Sequence, residues 1–408
     1  MDKSISDNGA LVNQKHTMKI NLASNSPWVA SGYGCQTRIF APRIIKLGYE
    51  LVISSLWGLE GGVLNWNGIQ VYPKGIGQWS NDVLAAHTVS AKAQILMTLF
   101  DSWPLQPENL QQFGVRWIPW FPIDMEPVPP PIVRNVTKAF DRIVFSKFAL
   151  KEMERVELAC HYVPHGIETD VFRPLDMTES RKALGWPQDK FIIGMVAANK
   201  GQPARKALAE HLMAFAKLCA KHDDVLLYLH TSAGTHGEYG GINLPEMAEQ
   251  LGITKSVVYC DQYNYHLGFP DQYMVWAYNS MDVHALCSMG EGFGIPIVEA
   301  QACGCPVIVG DWTATGELCF SGWKMDKKDT AKIYTQLGSY QFVPDVNVLY
   351  ELMETAYRFK GNNDYRKRAR DGALAFDADK VTEKYWKPVL KSIEESIEDK
   401  TPVKLVKF

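Results

Sequence analysis

Two glutamates eight residues apart, Glu291 and Glu299, flank a glycine-spaced loop, Gly290-Glu-Gly292-Phe293-Gly294-Ile295-Pro296. Three alternate glycines let a backbone approach a ligand closely, and Pro296 suits the first turn of a helix. The amides around Phe293 to Ile295 then point outward, as a binding place for anions or sugar hydroxyls. Carboxylates on either side could grip a diol through paired hydrogen bonds. Taken alone, the pattern is better read as a turn followed by a solvated helix residue, because short glycine motifs carry little specificity.

A second element carries cations. Asn199-Lys200-Gly-Gln-Pro-Ala-Arg205-Lys206 follows a strand-like run at 192–198 and precedes a long helical stretch. Arg205 offers a planar fork and Lys206 a compact charge, at the strand edge where doubly wound sheets bind ligands. Cations sit at the unfavourable end of a helix dipole when they start a helix, which argues for an anionic ligand between them. In the first half, Ser31-Gly32-Tyr33-Gly34 opens a helix after the first strand. It lacks G-x-G-x-x-G, and no acidic residue closes the second strand, which excludes the usual dinucleotide fingerprint. Strand ends at Asp101 and Asp124 face the same edge. Asp124 either meets a ligand there or caps a helix before Pro127. The only D-x-D, Asp377-Ala-Asp379, precedes a helix and reads as a cap.

Positioning these residues takes two repeats of one grammar. Strands are predicted at 18–23, 51–56, 95–100, 115–121, 142–145 and 160–163, with a helix at 36–47 and a hairpin within 61–73 turning on Asn67-Gly68. A new series starts after 174–178, with strands at 191–196, 225–229, 257–260, 283–287 and 306–309 and helices at 206–220, 245–251, 270–279 and 296–302. Such alternation means an α/β chain with two Rossmann-like, doubly wound parallel sheets. The expected units are a mobile tail at 1–17, a first domain at 18–175, a second at 176–378 and a final helical segment at 379–408. Tyr385, Trp386, Val389, Leu390 and Ile393 give that segment a broad apolar face that must be buried.

Composition narrows the classes further. Across 408 residues, 46% hydrophobic and 21% charged content excludes whole-chain disorder, and a net charge of −3 gives no support for a nucleic-acid partner, although a local basic groove stays open. No apolar run is long enough for a membrane span, so a cytoplasmic protein is expected. Eight scattered cysteines fit reduced thiols, and Cys303-x-Cys305 without a second pair does not make a zinc site.

The stretch from Asp282-Val283 through Ser288, Glu291-Gly-Phe-Gly-Ile-Pro296, Glu299-Ala300 and Gly304-Cys-Pro-Val-Ile308 resembles the E-x7-E signature of retaining glycosyltransferase family 4 (glycosyl transferases group 1). The resemblance covers about residues 18 to 400 and is densest at 257–318. It implies the GT-B fold: an acceptor domain, a nucleotide-sugar donor domain, a cleft between them, and a C-terminal helix crossing back onto the first domain. It also implies a nucleoside diphosphate sugar as donor, with Glu291 beside the sugar and Gly292, Phe293, Gly294 and Ile295 holding hydroxyls and phosphate. Glu299 would bind the ribose, and Gly32, Tyr33 and Gly34 would belong to the donor and acceptor loop. His165, in Val163-Pro-His-Gly166, reads as structural, while Asp261, Thr313, Thr315 and Glu317 follow the family pattern at the cleft edge.

The family carries an Arg and a Lys six positions apart in the cationic loop. Here Lys200 takes the place of that Arg, while Arg205 precedes Lys206, so either can partner Lys206 on a diphosphate. Asp124 stands at or near the family's usual histidine. The implied reaction is metal-independent glycosyl transfer without a cofactor, using Lys206, Arg205, Glu291 and Asp124. The acceptor, whether glycan, lipid, protein or modified base, stays unassigned. A GT-B epimerase or phosphorylase, or a non-catalytic nucleotide-sugar binding module, are the competing readings.

Overall fold

A computed structural model describes residues 18–201, 203–235, 240–399, 405 and 406. The expected tail at 1–17 lies outside these. The first sheet comprises β1 (Lys19–Ser24), β2 (Glu50–Ser55), β3 (Leu64–Trp66), β4 (Ile69–Tyr72), β5 (Ile95–Leu99), β6 (Arg116–Phe121), β7 (Ile143–Val144) and β8 (His161–Tyr162). Its order is β3-β4-β2-β1-β5-β6-β7-β8, and only β3 runs antiparallel to its neighbour. Asn67 and Gly68 both have positive φ, the condition for a tight hairpin turn whose twist matches its strands.

The second sheet comprises β9 (Phe191–Val196), β10 (Val225–His230), β11 (Val257–Tyr259), β12 (Val283–Leu286), β13 (Val307–Asp311) and β14 (Gly322–Asp326), ordered β11-β10-β9-β12-β13-β14 and parallel throughout. Strands such as β5 and β9 are buried almost end to end because helices cover both faces, which is why they read as unbroken apolar runs. In each sheet the chain reverses direction of travel beside the first strand, between β1 and β5 and between β9 and β12. The crevice at such a switch point lies at the strands' C-terminal ends. All the candidate site residues except Glu299 sit on loops or helix starts at those ends.

Some boundaries differ from expectation. The first helix begins at Gly32, because the Ser31 side chain accepts the Gly34 amide and caps it, and it runs Gly32–Lys46 with Pro42 inside. The helix expected from 206 begins at Leu208, leaving Arg205 and Lys206 in the loop, with Ala207 in the left-handed region. An unpredicted hairpin, β15 (Thr330–Tyr334) and β16 (Tyr340–Pro344), projects from the second domain. β15 is largely exposed and β16 buries only Gln341, Phe342 and Pro344, a run too short and mixed to announce a hairpin.

The C-terminal segment crosses back to the first domain as expected. Asp377 caps Ala378–Val381, a π-helical turn spans Thr382–Trp386, and Lys387–Asp399 follows. Trp386 is fully buried edge-on against Trp120 at 4.8 Å and Phe40 at 5.8 Å, both of the first domain, with Val389, Leu390 and Ile393 buried below. Arg43 adds ion pairs to Asp379 at 2.7 Å and Glu168 at 2.8 Å. None of the eight cysteines is paired. Among the described residues no helix is long and apolar enough to cross a membrane. Trp386→Ala should cost about 3–5 kcal/mol in equilibrium urea unfolding, the usual consequence of emptying a buried aromatic site. A loss below ~1 kcal/mol would show that this helix does not anchor the two halves.

Candidate functional site

The glycine loop leaves β12 and is fixed from three sides. Trp312 Nε1 donates to the Ser288 carbonyl at 2.9 Å, the Met289 amide donates to the Arg205 carbonyl at 2.8 Å, and the Glu291 amide donates to Thr313 Oγ1 at 3.1 Å. The Met289 bond ties the loop to the cationic segment, so Glu291 arrives beside both cations. Its carboxylate accepts from Lys206 Nζ and lies 3.5 Å from Arg205. Burial alone would push this carboxyl up, but Lys206 and Arg205 outweigh it and hold it down at about 2. Arg205 also donates to the Gly290 carbonyl and reaches Asp124 of the first domain at 3.5 Å. The guanidinium therefore bridges the two walls of the cleft.

The first-domain wall is acidic. Burial and the neighbouring Asp124 push the Asp101 carboxyl up to about 6. Tyr33 stands in the same field. Burial, then Asp101 and Asp124, raise its phenol well above the ordinary range, so it stays a hydrogen-bond donor. Tyr33 thus joins Asp101, Asp124, Arg205 and Glu291 in one cluster drawn from both domains. Gly32 approaches the second domain, since a Cβ there would lie 3.4 Å from Ile295 Cδ1. Gly34 serves its own loop instead, where a side chain would collide with the Ser26 and Val29 carbonyls.

The reason for Gly290 and Gly292 differs from the sequence expectation of close ligand approach. A Cβ on Gly290 would run into the Asp124 carbonyl oxygen, and one on Gly292 into Pro122 and, at 3.2 Å, Phe145. These glycines admit the opposite domain. Gly294 alone of the three needs positive φ, at 113°, where it precedes the helix Ile295–Ala302 with Pro296 in its first turn. That N-terminus carries no side-chain cap. Phe293 packs across to Phe145 and His165 of the first domain and against Phe376.

Glu299 lies apart from the cationic cluster. Tyr278 donates to it at 2.8 Å, and burial outweighs that bond and raises the carboxyl to about 7. Arg38 and Asp271 pair across the cleft at 3.2 Å within its electrostatic reach. The Lys200 ammonium stands 5.7 Å from the ring of Trp57, on the other wall. Asp124 does not cap the helix after Pro127, because Pro129 precedes Pro130–Val136 without a side-chain bond. His165 is buried, stacked on Phe145 at 4.1 Å, and burial pulls its pKa down to about 3, so it acts as a neutral ring. Asp261 caps Gln262–Leu267, and the Glu317 carboxylate accepts the Lys147 and Phe148 amides at the start of a first-domain helix.

Tyr278, the partner of Glu299, is a residue that sequence reasoning did not assign, and Thr313, placed at the cleft edge from the sequence, proves to hold the Glu291 amide. Tyr278 carries no motif, and its position one helix away in space is visible only in the fold. Asp101 was recognisable as a strand-end carboxylate but not as a neighbour of Asp124.

Residues 176–319 match the family model described as glycosyl transferases group 1. Over 201 residues the chain is 31% identical to a D-inositol 3-phosphate glycosyltransferase of Corynebacterium jeikeium, covering 47% of this chain and 45% of that protein. Over 222 residues it is 26% identical to the lipopolysaccharide core biosynthesis mannosyltransferase LpsB of Rhizobium meliloti, covering 49% of this chain and 60% of that one. The matched part thus spans about half the length of these curated relatives. Among solved structures, sucrose-phosphate synthase from Thermosynechococcus elongatus superposes with a TM-score of 0.72 at 15% identity, over 94% of this chain and 100% of that one. Anabaena HepE in complex with UDP-glucose gives 0.66 at 13% identity, over 92% and 100%. The two parallel sheets, the cleft and the returning helix are those of the GT-B fold.

The Glu299 carboxyl moves from an ordinary 4.5 to about 7 in the folded chain. Folding therefore loses stability as pH rises through that window, since the unfolded chain gives up this proton first. Relative to the parent chain, Glu299→Gln should be more stable at pH 8 than at pH 5 in thermal unfolding. A difference that is the same at both pH values would place Glu299 in water.

Proposed function

We propose that this protein is a retaining glycosyltransferase that moves a sugar from a UDP- or GDP-linked donor to an acceptor hydroxyl. The observation that carries the reading is the convergence of Glu291, Arg205, Lys206 and the uncapped helix start at Ile295 on one wall, facing Tyr33, Asp101 and Asp124 on the other. The family match over 176–319 supports it, as does a protein of the same fold described with UDP-glucose.

In this reading the diphosphate lies against the amides at Gly294 and Ile295, and Arg205 and Lys206 turn from the carboxylates onto its oxygens. They neutralise the charge that grows on the leaving group as the bond between the anomeric carbon and the phosphate oxygen breaks. The acceptor oxygen bonds to the same face of that carbon, and its proton passes to the departing diphosphate. Retention follows from attack on the leaving-group face. Glu291 stays ionised and stabilises positive charge at the anomeric carbon, while Asp124 and Tyr33 orient the acceptor side. Glu299 grips the ribose diol. Protein cations supply the charge neutralisation, so the proposal asks for no metal or cofactor.

Nucleotide release is to be measured from uridine-, guanosine- and adenosine-linked sugars, with and without pools of glycan, lipid, protein and DNA acceptors. Acceptor-dependent release from at least one donor is expected, and release from none would overturn the proposal. With the active donor, Lys206→Ala should cut turnover by about 10²–10³-fold, the scale for removing one charge-stabilising donor. Glu299→Ala should weaken nucleotide binding in calorimetry while leaving the loop intact. Parental rates and affinities in both variants would remove these residues from the site.

A further inference from the structure

We infer that Glu126 is a positioning residue, which acts through the β15–β16 hairpin to hold Asp124 and the Glu291 loop in fixed relation across the cleft. The inference rests on the glycosyl-transfer reading for its effect on rate, but not for its geometry. β16 makes main-chain bonds to both walls. The Phe342 amide donates to the Met289 carbonyl at 2.8 Å, inside the glycine loop of the second domain. Two residues earlier, Tyr340 exchanges both main-chain bonds with Glu126 of the first domain, at 3.1 and 3.2 Å.

The hairpin's tip reinforces this. Ser339 Oγ donates to the Pro127 carbonyl, and Thr335 Oγ1 lies 3.3 Å from Met125 Sδ. The Glu126 carboxylate pairs with Lys327 of the second domain and, at 3.3 Å, with Arg155 at the end of a first-domain helix. The backbone of this one residue is therefore bonded to the second domain, and its side chain to both halves of the molecule. Asp124 lies two residues upstream, with its carboxylate 3.5 Å from Arg205 and its carbonyl against Gly290. The contacts close a ring: Met289 to Phe342, along β16 to Tyr340, across to Glu126, back to Asp124, and from Asp124 to Gly290. A ring of that kind sets a spacing that side-chain attraction between two mobile walls would leave variable.

The test is hydrogen exchange by mass spectrometry on the full chain, comparing the parent with Glu126→Gln and Lys327→Gln. Exchange at 123–126 and at 289–292 should rise together by about fivefold or more, the change in opening that follows the loss of ~1 kcal/mol of local stability. The β9–β10 amides should not change. Loosening of one segment without the other, or of neither, would overturn the inference. Lys327→Gln keeps the test open if Glu126→Gln does not fold. For the donor that supports release, kcat should fall by the same factor with its KM unchanged, and calorimetry with UDP as probe should give an unchanged affinity. An unchanged kcat would also overturn the inference. If no donor is turned over, the transfer reading fails and the exchange result alone decides the role of the hairpin.

Discussion

The Glu291 carboxylate, held between Lys206 and Arg205, is the interaction on which the rest of the site depends. It keeps two cations side by side, where they would otherwise repel, and it holds them at the mouth of an uncapped helix. The same Arg205 Nη1 that faces Glu291 also reaches Gly290 and Asp124, so that one charge organises both walls. Without a ligand the cluster is internally neutralised. A diphosphate entering here would replace one set of anionic partners by another rather than meet bare charge. Such an exchange keeps the desolvation cost of the cations low in both states.

This arrangement also explains why the whole-chain charge of −3 says nothing about anion binding. The relevant field is made by Glu291, Lys206, Arg205, Asp124 and Asp101 within one cleft, whose formal charges sum to only −1 when all are ionised. Sign and spacing within the cluster matter, and a sum over the chain erases both.

Much of the fold was legible because its physics is local. Strands covered on both faces are continuous apolar runs, Asn67-Gly68 specifies its own turn, and the stripe from Tyr385 to Ile393 required a partner. The Glu291 loop was legible for a related reason, since glycine and proline at fixed spacing describe backbone geometry directly. What escaped was determined by the approach of distant segments. Gly290 and Gly292 looked like room for a ligand, but that room is taken by Asp124, Pro122 and Phe145. Lys200 and Arg205 could not be told apart because their difference lies in what stands opposite each, Trp57 for one and Asp124 for the other. The β15–β16 hairpin was hidden because β15 is largely exposed, β16 buries only a short mixed run, and its main-chain partners Met289 and Glu126 are distant in sequence.

The glycine contacts between the domains bear on how closely the walls of the cleft approach. With the Asp124 carbonyl and Pro122 seated directly on Gly290 and Gly292, the path to the amides beyond them is narrow whenever the walls touch. Any side chain added at Gly290 or Gly292 would meet the facing wall first and so would wedge the two walls apart. Two absent side chains, through the space they concede to the opposite wall, thus set how closely the halves of the molecule can meet.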